Sequence, residues 1–509
     1  MKSLLTATLF FSFTYLNAGV ELDYLNSLRT KAGLPAFSIQ SNLTAAAQNH
    51  SAYMQTNNIS GHYEERTKSG YTGDAPWNRT VYAGYQYFYV SENVSYGSNA
   101  TYQSSIDGLF SAIYHRFGFL TLSLDEVGIG ISNSKQFYTY DMGNSRLNSL
   151  CAGASYVGTE SYYLPCADTS KKVSASSFEA ADDAIKATAP DLILWPAENS
   201  NDIPPVFYEE SPDPLPSHSV TGYPISVQFN DEKISSAPTV SSFTLSDASG
   251  KQLNTLISMN QTNDPNQRFS AYQYALFPEK RLEWGSEYSA EIIYNINGVQ
   301  QTKNWHFTTR SLANKAAKFY RIENMKEISL NIVSGTTYAI YVVPNDTNDQ
   351  IGGVSYSYTG NALDFDYIDA NTLLVSMTGV SGNDAIFTFS NGQKITLTIA
   401  NSDTATVPST DTLVMDATAS SSSVTDTDQD GIPDTLDTDD DNDGISDSDE
   451  LANGLNPLNT FDAQADFDND GFSNAIEISV GSDMRDTNEK PVWAPVIMDN
   501  IVIMVPSFS

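Results

Sequence analysis

Positive charge is what this chain has least of. Its 509 residues carry 26 Lys and Arg against 61 Asp and Glu, a formal charge of −35. Nucleic acids and anionic membranes need a basic patch, so this balance excludes them and favours divalent cations or cationic partners. Cysteine is almost absent: Cys151 and Cys166 are the two residues of this type. In an exported chain they read as one disulfide, and otherwise as two free thiols with no metal partner nearby in sequence. Long apolar runs are also missing. The stretch from Leu4 to Leu16 falls short of the ~20 residues a spanning helix needs. With Lys2 before it and Ala18 after it, it reads as a secretory signal over residues 1–18, which points to a secreted, extracellular or cell-surface protein, with the periplasm as a variant. The apolar stretch 493–505 is interrupted by Asp499 and Asn500 and reads as a strand or docking tail within residues 489–509. No Ser-His-Asp or Cys-His combination suggests a nucleophile.

Negative charge is concentrated. Residues 426–490 hold 20 acidic residues against Arg485 and Lys490, about half the net charge of the chain. The acids recur in order. Asp426, Asp428, Asp430, Ile432, Asp434 and Asp437 form one set. Asp439, Asp441, Asp443, Ile445, Asp447 and Glu450 form the second, and Asp466, Asp468, Asp470, Phe472, Asn474 and Glu477 the third. Each set fills loop positions 1, 3, 5, 7, 9 and 12, and Gly431, Gly444 and Gly471 occupy position 6. Side-chain oxygens at 1, 3, 5, 9 and 12, a backbone carbonyl at 7 and a glycine for the turn make the ligand order of a calcium loop. A disordered acidic tail would not repeat it three times. The second loop begins two residues after the first ends, leaving no room for a helix between them. This packing resembles thrombospondin type 3 repeats, over roughly residues 424–488, and the resemblance implies bound Ca2+.

Ahead of these repeats the texture changes several times. Residues 19–175 mix helix and strand. Leu22, Leu25 and Leu28 recur at helical spacing up to Gly33; Leu43, Ala46, Ala47, His50 and Met54 share a face; Ile106, Leu109, Phe110 and Ile113 predict a helix over 104–114. Residues 126–131 and 136–140 read as strands. Short alternating runs at 225–229, 242–245, 288–294 and 305–309 predict a β-sandwich over 195–312 that resembles bacterial immunoglobulin-like domains. The Pro-rich entry 204–216 reads as an ordered crossover packed on a neighbour. Residues 316–400 predict a second all-β domain, and the Ser/Thr-rich segment 401–425 a linker.

The histidines number five. His50 lies on an apolar helix face and reads as packed core; His218 and His306 fall in the β-domains and read as structural or surface residues. His62, Glu92 and His115 are different. They sit in Gly61-His62, Ser91-Glu92-Asn93 and Tyr114-His115-Arg116. Around them lie the Ala-rich helix 43–54, a Gly- and aromatic-rich stretch ending at Arg79, and a Gly-x-Gly strand with Gly128 and Gly130. This ordered set resembles the CAP superfamily of cysteine-rich secretory, antigen 5 and pathogenesis-related 1 proteins. The resemblance covers residues 21–145. It implies an α-β-α sandwich whose cleft is lined by His62, Glu92 and His115 and holds a divalent metal such as Zn2+. Two imidazoles and a carboxylate suit that ion. Two departures stand out. Between residues 93 and 114 the sole acid is Asp107, where the family pattern has a second Glu before its last His, and Ser91 and Tyr114 replace glycines. The same three residues also read as a hydrogen-bonded cluster that fixes loop geometry. The fold expected is therefore multidomain: a CAP-like α-β-α sandwich, β-sandwich domains and a calcium-bound repeat segment at 426–488. Two functions follow. One is a binding or adhesion protein that takes an unidentified ligand or surface partner in its cleft. The other is a metal-dependent hydrolase acting on peptide or cell wall, with Glu92 as ligand or general base.

Overall fold

The computed structural model describes residues 19–416 apart from 98–99, 324–326, 351–353, 361, 391, 403 and 407–411, and then 439, 441, 443–459, 461–468, 472–487, 492–498 and 501–507. The chain divides into two compact units, Met1–Val414 and Met415–Ser509.

The first unit begins with helices Val20–Lys31 and Ser41–Asn57. The Gln40 side chain caps the second by accepting from the Asn42 and Leu43 amides, replacing helical partners that a first turn lacks. This helix lies against the strand Glu126–Ile131 because glycine permits it. A β-carbon on Gly128 would come 2.0 Å from the Leu43 carbonyl carbon, and one on Gly130 would come 2.1 Å from that of Ala47. The strand sits in a four-stranded sheet, parallel to Ser38–Ile39 and antiparallel to Phe137–Gly143, which in turn pairs with Ser91–Tyr96.

The helix expected over 104–114 is two helices. Thr101 opens Tyr102–Ser111 with a capping box. Extended backbone at Ala112 then breaks it, and Ile113–Phe119 follows. The break sends neighbouring side chains to different cores. Phe110 stays with the sheet, while Ile113 packs with Phe207, Leu215 and Phe277 of the region downstream. A disulfide links Cys151 to Cys166.

Two four-stranded sheets form the sandwich. One is built from Leu192–Trp195, Ile225–Phe229, Thr255–Asn260 and Gln273–Pro278, the other from Ser200–Ile203, Thr239–Asp247, Glu287–Ile296 and Val299–Thr309. Its core is continuous with the helical region: the Phe110 and Trp195 rings are 4.6 Å apart at their centroids. The Pro-rich crossover is ordered. Val206–Phe207 pairs with Thr221–Gly222, and Tyr208 donates to Asp369 at 3.0 Å.

Residues 318–400 form a further pair of sheets around Tyr320, Leu330, Val375 and Phe387. Strand structure continues into the segment expected to be a linker. Thr404–Thr406 pairs with Ser329–Asn331, and Thr412–Asp416 is also a strand. The edge of Glu327–Val333 offers unpaired backbone groups that Thr404–Thr406 satisfies, a long-range partner that local composition does not reveal.

In the second unit, Asp447–Asn453 and Asn474–Val480 are short helices, each stopped by a left-handed glycine, Gly454 or Gly481. Ile445, Leu455, Ala463 and Met484 make a small core. Val492–Met498 and Ile501–Ser507 pair as antiparallel strands. Among the described residues no helix is long and apolar enough to cross a membrane.

Candidate functional site

Four elements build the cleft of the first domain. His62 follows the second helix, Glu92 lies on Ser91–Tyr96, and His115 lies in the first turn of Ile113–Phe119. The fourth element, helix Pro76–Tyr82, delivers Arg79. Arg79 is fully buried and donates to Glu92 at 2.5 Å and to the His62 carbonyl at 2.9 Å. Glu92 also accepts from His62 Nδ1 at 2.9 Å. Burial alone would raise the Glu92 carboxyl, but the Arg79 charge and the His62 hydrogen bond bring it down to about 2. Glu92 is thus an ionised acid with both oxygens engaged. Beneath it, Asp141 is paired in register with Glu92, fully buried, and has no hydrogen-bond partner for either oxygen among the described residues. Burial first, and the Glu92 charge second, push the Asp141 carboxyl well above the ordinary range.

His115 takes its carboxylate from outside the domain. Glu210, on the Pro-rich crossover, accepts from His115 Nδ1 at 2.9 Å and from the Tyr114 amide at 3.2 Å. Glu210 and His115 side chains are both largely buried, whereas His62 is about one-third exposed. The His62 and His115 rings stack at 6.2 Å with a 20° tilt. An ionised carboxylate can only accept, so Nδ1 carries the proton in each pair, and in the neutral form of either ring Nε2 is the nitrogen with the lone pair. His62 and His115 therefore come together, each held by its own carboxylate: Glu92 bonds His62 and Glu210 bonds His115. His50 is buried, held by Glu64 at 2.9 Å and by the Gly61 carbonyl at 2.8 Å. His218 bonds Thr347, and His306 bonds Ser289 on the surface. Sequence reasoning missed Asp141 and Glu210, and it named Arg79 as part of the CAP-like pattern without giving it a role at the site. Pro76 at the first helical position was a signal for the helix that carries Arg79. No local signal links Glu210 to His115, 95 residues away.

A second site lies in the acidic unit. Ligand oxygens of Asp439, Asp441 and Asp443 lie within 4.8 Å of one another, as do those of Asp443, Glu450 and Asp462. Gly444 takes φ 96°, the turn that lets its amide reach Asp439 at 3.1 Å. The Asp443 amide reaches Asp439 and Asp441, both at 3.2 Å. Ile445, at the carbonyl-donor position, is anchored in the small core, and Asp447 starts the helix that presents Glu450. Asp441 and Glu450 are fully buried. Among the described residues, Asp441 Oδ2, Asp443 Oδ2, Asp462 Oδ1 and both Glu450 oxygens have no hydrogen-bond partner. Burial, then the charges of Asp441, Asp443 and Asp462, push the Glu450 carboxyl up to about 8. Of the third loop, Asp466, Asp468, Phe472, Asn474 and Glu477 are described, and Asn474 and Glu477 are buried. Asn474 uses its amide within the fold, accepting from the Phe467 amide and donating to the Asp462 carbonyl. The first loop, Asp426, Asp428, Asp430, Ile432, Asp434 and Asp437, and Asp470 of the third lie outside the described residues.

Family models match the two regions in which most of these residues lie. The model of the cysteine-rich secretory protein family matches residues 22–144. Residues 22–144 form a CAP domain. The bacterial TSP3 repeat matches residues 439–460 and 466–483 of the same chain. Among solved structures, an extracellular SCP-domain protein from Bacillus anthracis is similar at 20% identity over 24% of this chain, with a TM-score of 0.22, and this chain spans 38% of its length. An outer surface protein of Borrelia burgdorferi is similar at 12% identity over 25% of this chain and 95% of its own, TM-score 0.21. The titin immunoglobulin tandem A164–A165 is similar at 12% identity over 35% of this chain and 87% of its own, TM-score 0.15. No curated protein matches the chain.

Proposed function

We propose that this CAP-domain protein is an extracellular binding protein whose C-terminal repeats fold around Ca2+. The observation that carries the reading is the convergence of carboxylate oxygens of Asp439, Asp441 and Asp443, and of Asp443, Glu450 and Asp462, with no protein cation among them in the described residues. Buried like charges are unfavourable unless a cation joins them. An all-oxygen, flexible site with a turn glycine suits Ca2+. Export is supported by the disulfide between Cys151 and Cys166. The test is calcium titration of the chelator-stripped full chain, followed by tryptophan and tyrosine fluorescence and by calorimetry. Saturable binding is expected, and Glu450→Gln should weaken it.

For the cleft we favour ligand binding over hydrolysis. Glu92 accepts from Arg79 and His62, and these partners hold its carboxyl at about 2, which makes it a poor general base. A catalytic zinc site takes three protein ligands and an open position. Among the described residues His62, Glu92 and His115 do not converge as a three-ligand group; His62 and His115 would offer their Nε2 atoms to a metal, and Glu92 would orient His62. A bound metal would supply Lewis acidity beside His62, whose side chain is about one-third exposed. Zinc calorimetry on the full chain, with His62→Ala and His115→Ala, tests this: affinity lost in both variants supports the shared site, and silence in the wild type removes it.

A further inference from the structure

We propose that Asp462, in the spacer between the two matched repeats, is a ligand of the calcium held by the loop 439–450, so that this site is closed from outside its own loop. The inference rests on the calcium reading of that loop. Residue 462 belongs to neither matched repeat, which cover 439–460 and 466–483. It is also absent from the ligand positions that the loop spacing defines.

Geometry places it there. A Ca2+ ion binds oxygens at about 2.3–2.6 Å, so two ligands of one ion lie no more than about 5 Å apart. Oxygens of Asp443, Glu450 and Asp462 fall within 4.8 Å of one another, and Asp443 shares the same spacing with Asp439 and Asp441. The two oxygens of Asp462 do different things. Oδ2 accepts from the Asn456 amide at 2.9 Å, which fixes the carboxylate. Oδ1 is buried without a partner among the described residues. Opposite it stands Glu450, fully buried with both oxygens lacking partners. Nothing in the loop itself explains why the spacer would bring a further negative charge to this point; a cation does.

The spacer is held from the other repeat. Asn474 donates from its side chain to the Asp462 carbonyl at 2.7 Å, its amide donates to Ala465 at 2.8 Å, and the Ala475 amide donates to Ala463 at 3.0 Å. The helix that follows the third loop therefore positions a ligand of the second. Calcium at 439–450 should order the spacer 454–465 together with its own loop, and the two repeats should respond to calcium as one unit.

Hydrogen exchange of the full chain, read by mass spectrometry across a calcium titration, tests this locally. In the wild type, peptides covering 443–463 should become protected with a single calcium midpoint. Asp462→Asn keeps an oxygen for the Asn456 amide and removes the charge; its midpoint should rise by about tenfold or more, as should that of Glu450→Gln. Asp462→Glu, which keeps the charge, should fall between Asp462→Asn and the wild type, and it carries the test if the Asn variant fails to fold. A wild-type midpoint in Asp462→Asn, with Glu450→Gln shifted, would overturn the role of Asp462 and leave the loop as a calcium site. Protection in the wild type confined to 443–453 would overturn it as well. Absence of any calcium response in the wild type would remove both this inference and the reading beneath it.

Discussion

The cleft of the CAP domain and the acidic site of the C-terminal unit both bury carboxylates, and they neutralise them differently. In the cleft, Glu64 and Glu92 are buried beside Arg79, with His50 and His62 completing the hydrogen bonds. In the acidic site, Asp441 and Glu450 are equally buried, and their neighbours are more acids. The effect on acidity is opposite in sign: Glu92 is drawn down to about 2, while Glu450 is pushed up to about 8. The chain closes the electrostatics of the first site with its own residues. In the second no protein cation does this among the described residues, and in the proposed reading Ca2+ takes that place.

The sharpest way to break this comparison is chelation. Removing calcium should abolish exchange protection over 443–487 and leave 19–400 unchanged; equal protection in both regions would mean that the acidic site stands without an ion. Next in size is Arg79→Met. It strands Glu64 and Glu92 in the interior, and loss of one partner from a buried ion network costs about 3–5 kcal/mol. Thermal unfolding should show the CAP transition falling steeply, with or without calcium. A third test reverses sign with conditions. Glu450→Gln removes, in chelator, the cost of taking up a proton at a buried carboxyl and, in calcium, a ligand, so at neutral pH it should stabilise the C-terminal unit in the first and destabilise it in the second, as read by exchange.

Asp141→Asn probes the one cleft acid that resembles the acidic site. Its carboxyl is raised in the folded state, so the stability it contributes is complete below its ordinary value of 3.8 and is lost as pH climbs through the folded value. The amide does not ionise, so the variant should match the wild type in acid and exceed it in stability at neutral pH, a difference that denaturation at several pH values reads out. The smallest effect is expected from Glu210→Gln. It weakens a hydrogen bond worth about 1–2 kcal/mol, and nitrogen shifts should report a change in the His115 tautomer while His62 stays as it is.

Local periodicity made much of the CAP domain legible. Gly128 and Gly130 are readable as a pair because a helix backbone sits where their side chains would be, and the helix from 41 follows from Leu43, Ala46 and Ala47. The helix over 104–114 was misjudged at Ala112, since apolar spacing does not say that Ile113 serves a different core from Phe110. In sequence Glu92 is the one carboxylate offered to both His62 and His115, whereas the structure gives each its own. One carboxylate comes from a strand of the same sheet, the other from a crossover 95 residues on. The linker expected at 401–425 began as a strand because its partner, 329–331, is remote.

By itself the sequence determined whatever depends on residues a few positions apart: the calcium-loop order of Asp439, Asp441, Asp443 and Glu450, the glycine turn at Gly444, and the helix faces of the CAP domain. Within about a dozen residues, backbone geometry ties spacing to direction. Tertiary structure alone decided which distant groups meet: Arg79 with Glu92, Glu210 with His115, and Asp462 with Glu450. Those pairings depend on how helices, sheets and crossovers pack, because burial forces each charge to find a partner and packing decides which partner is within reach.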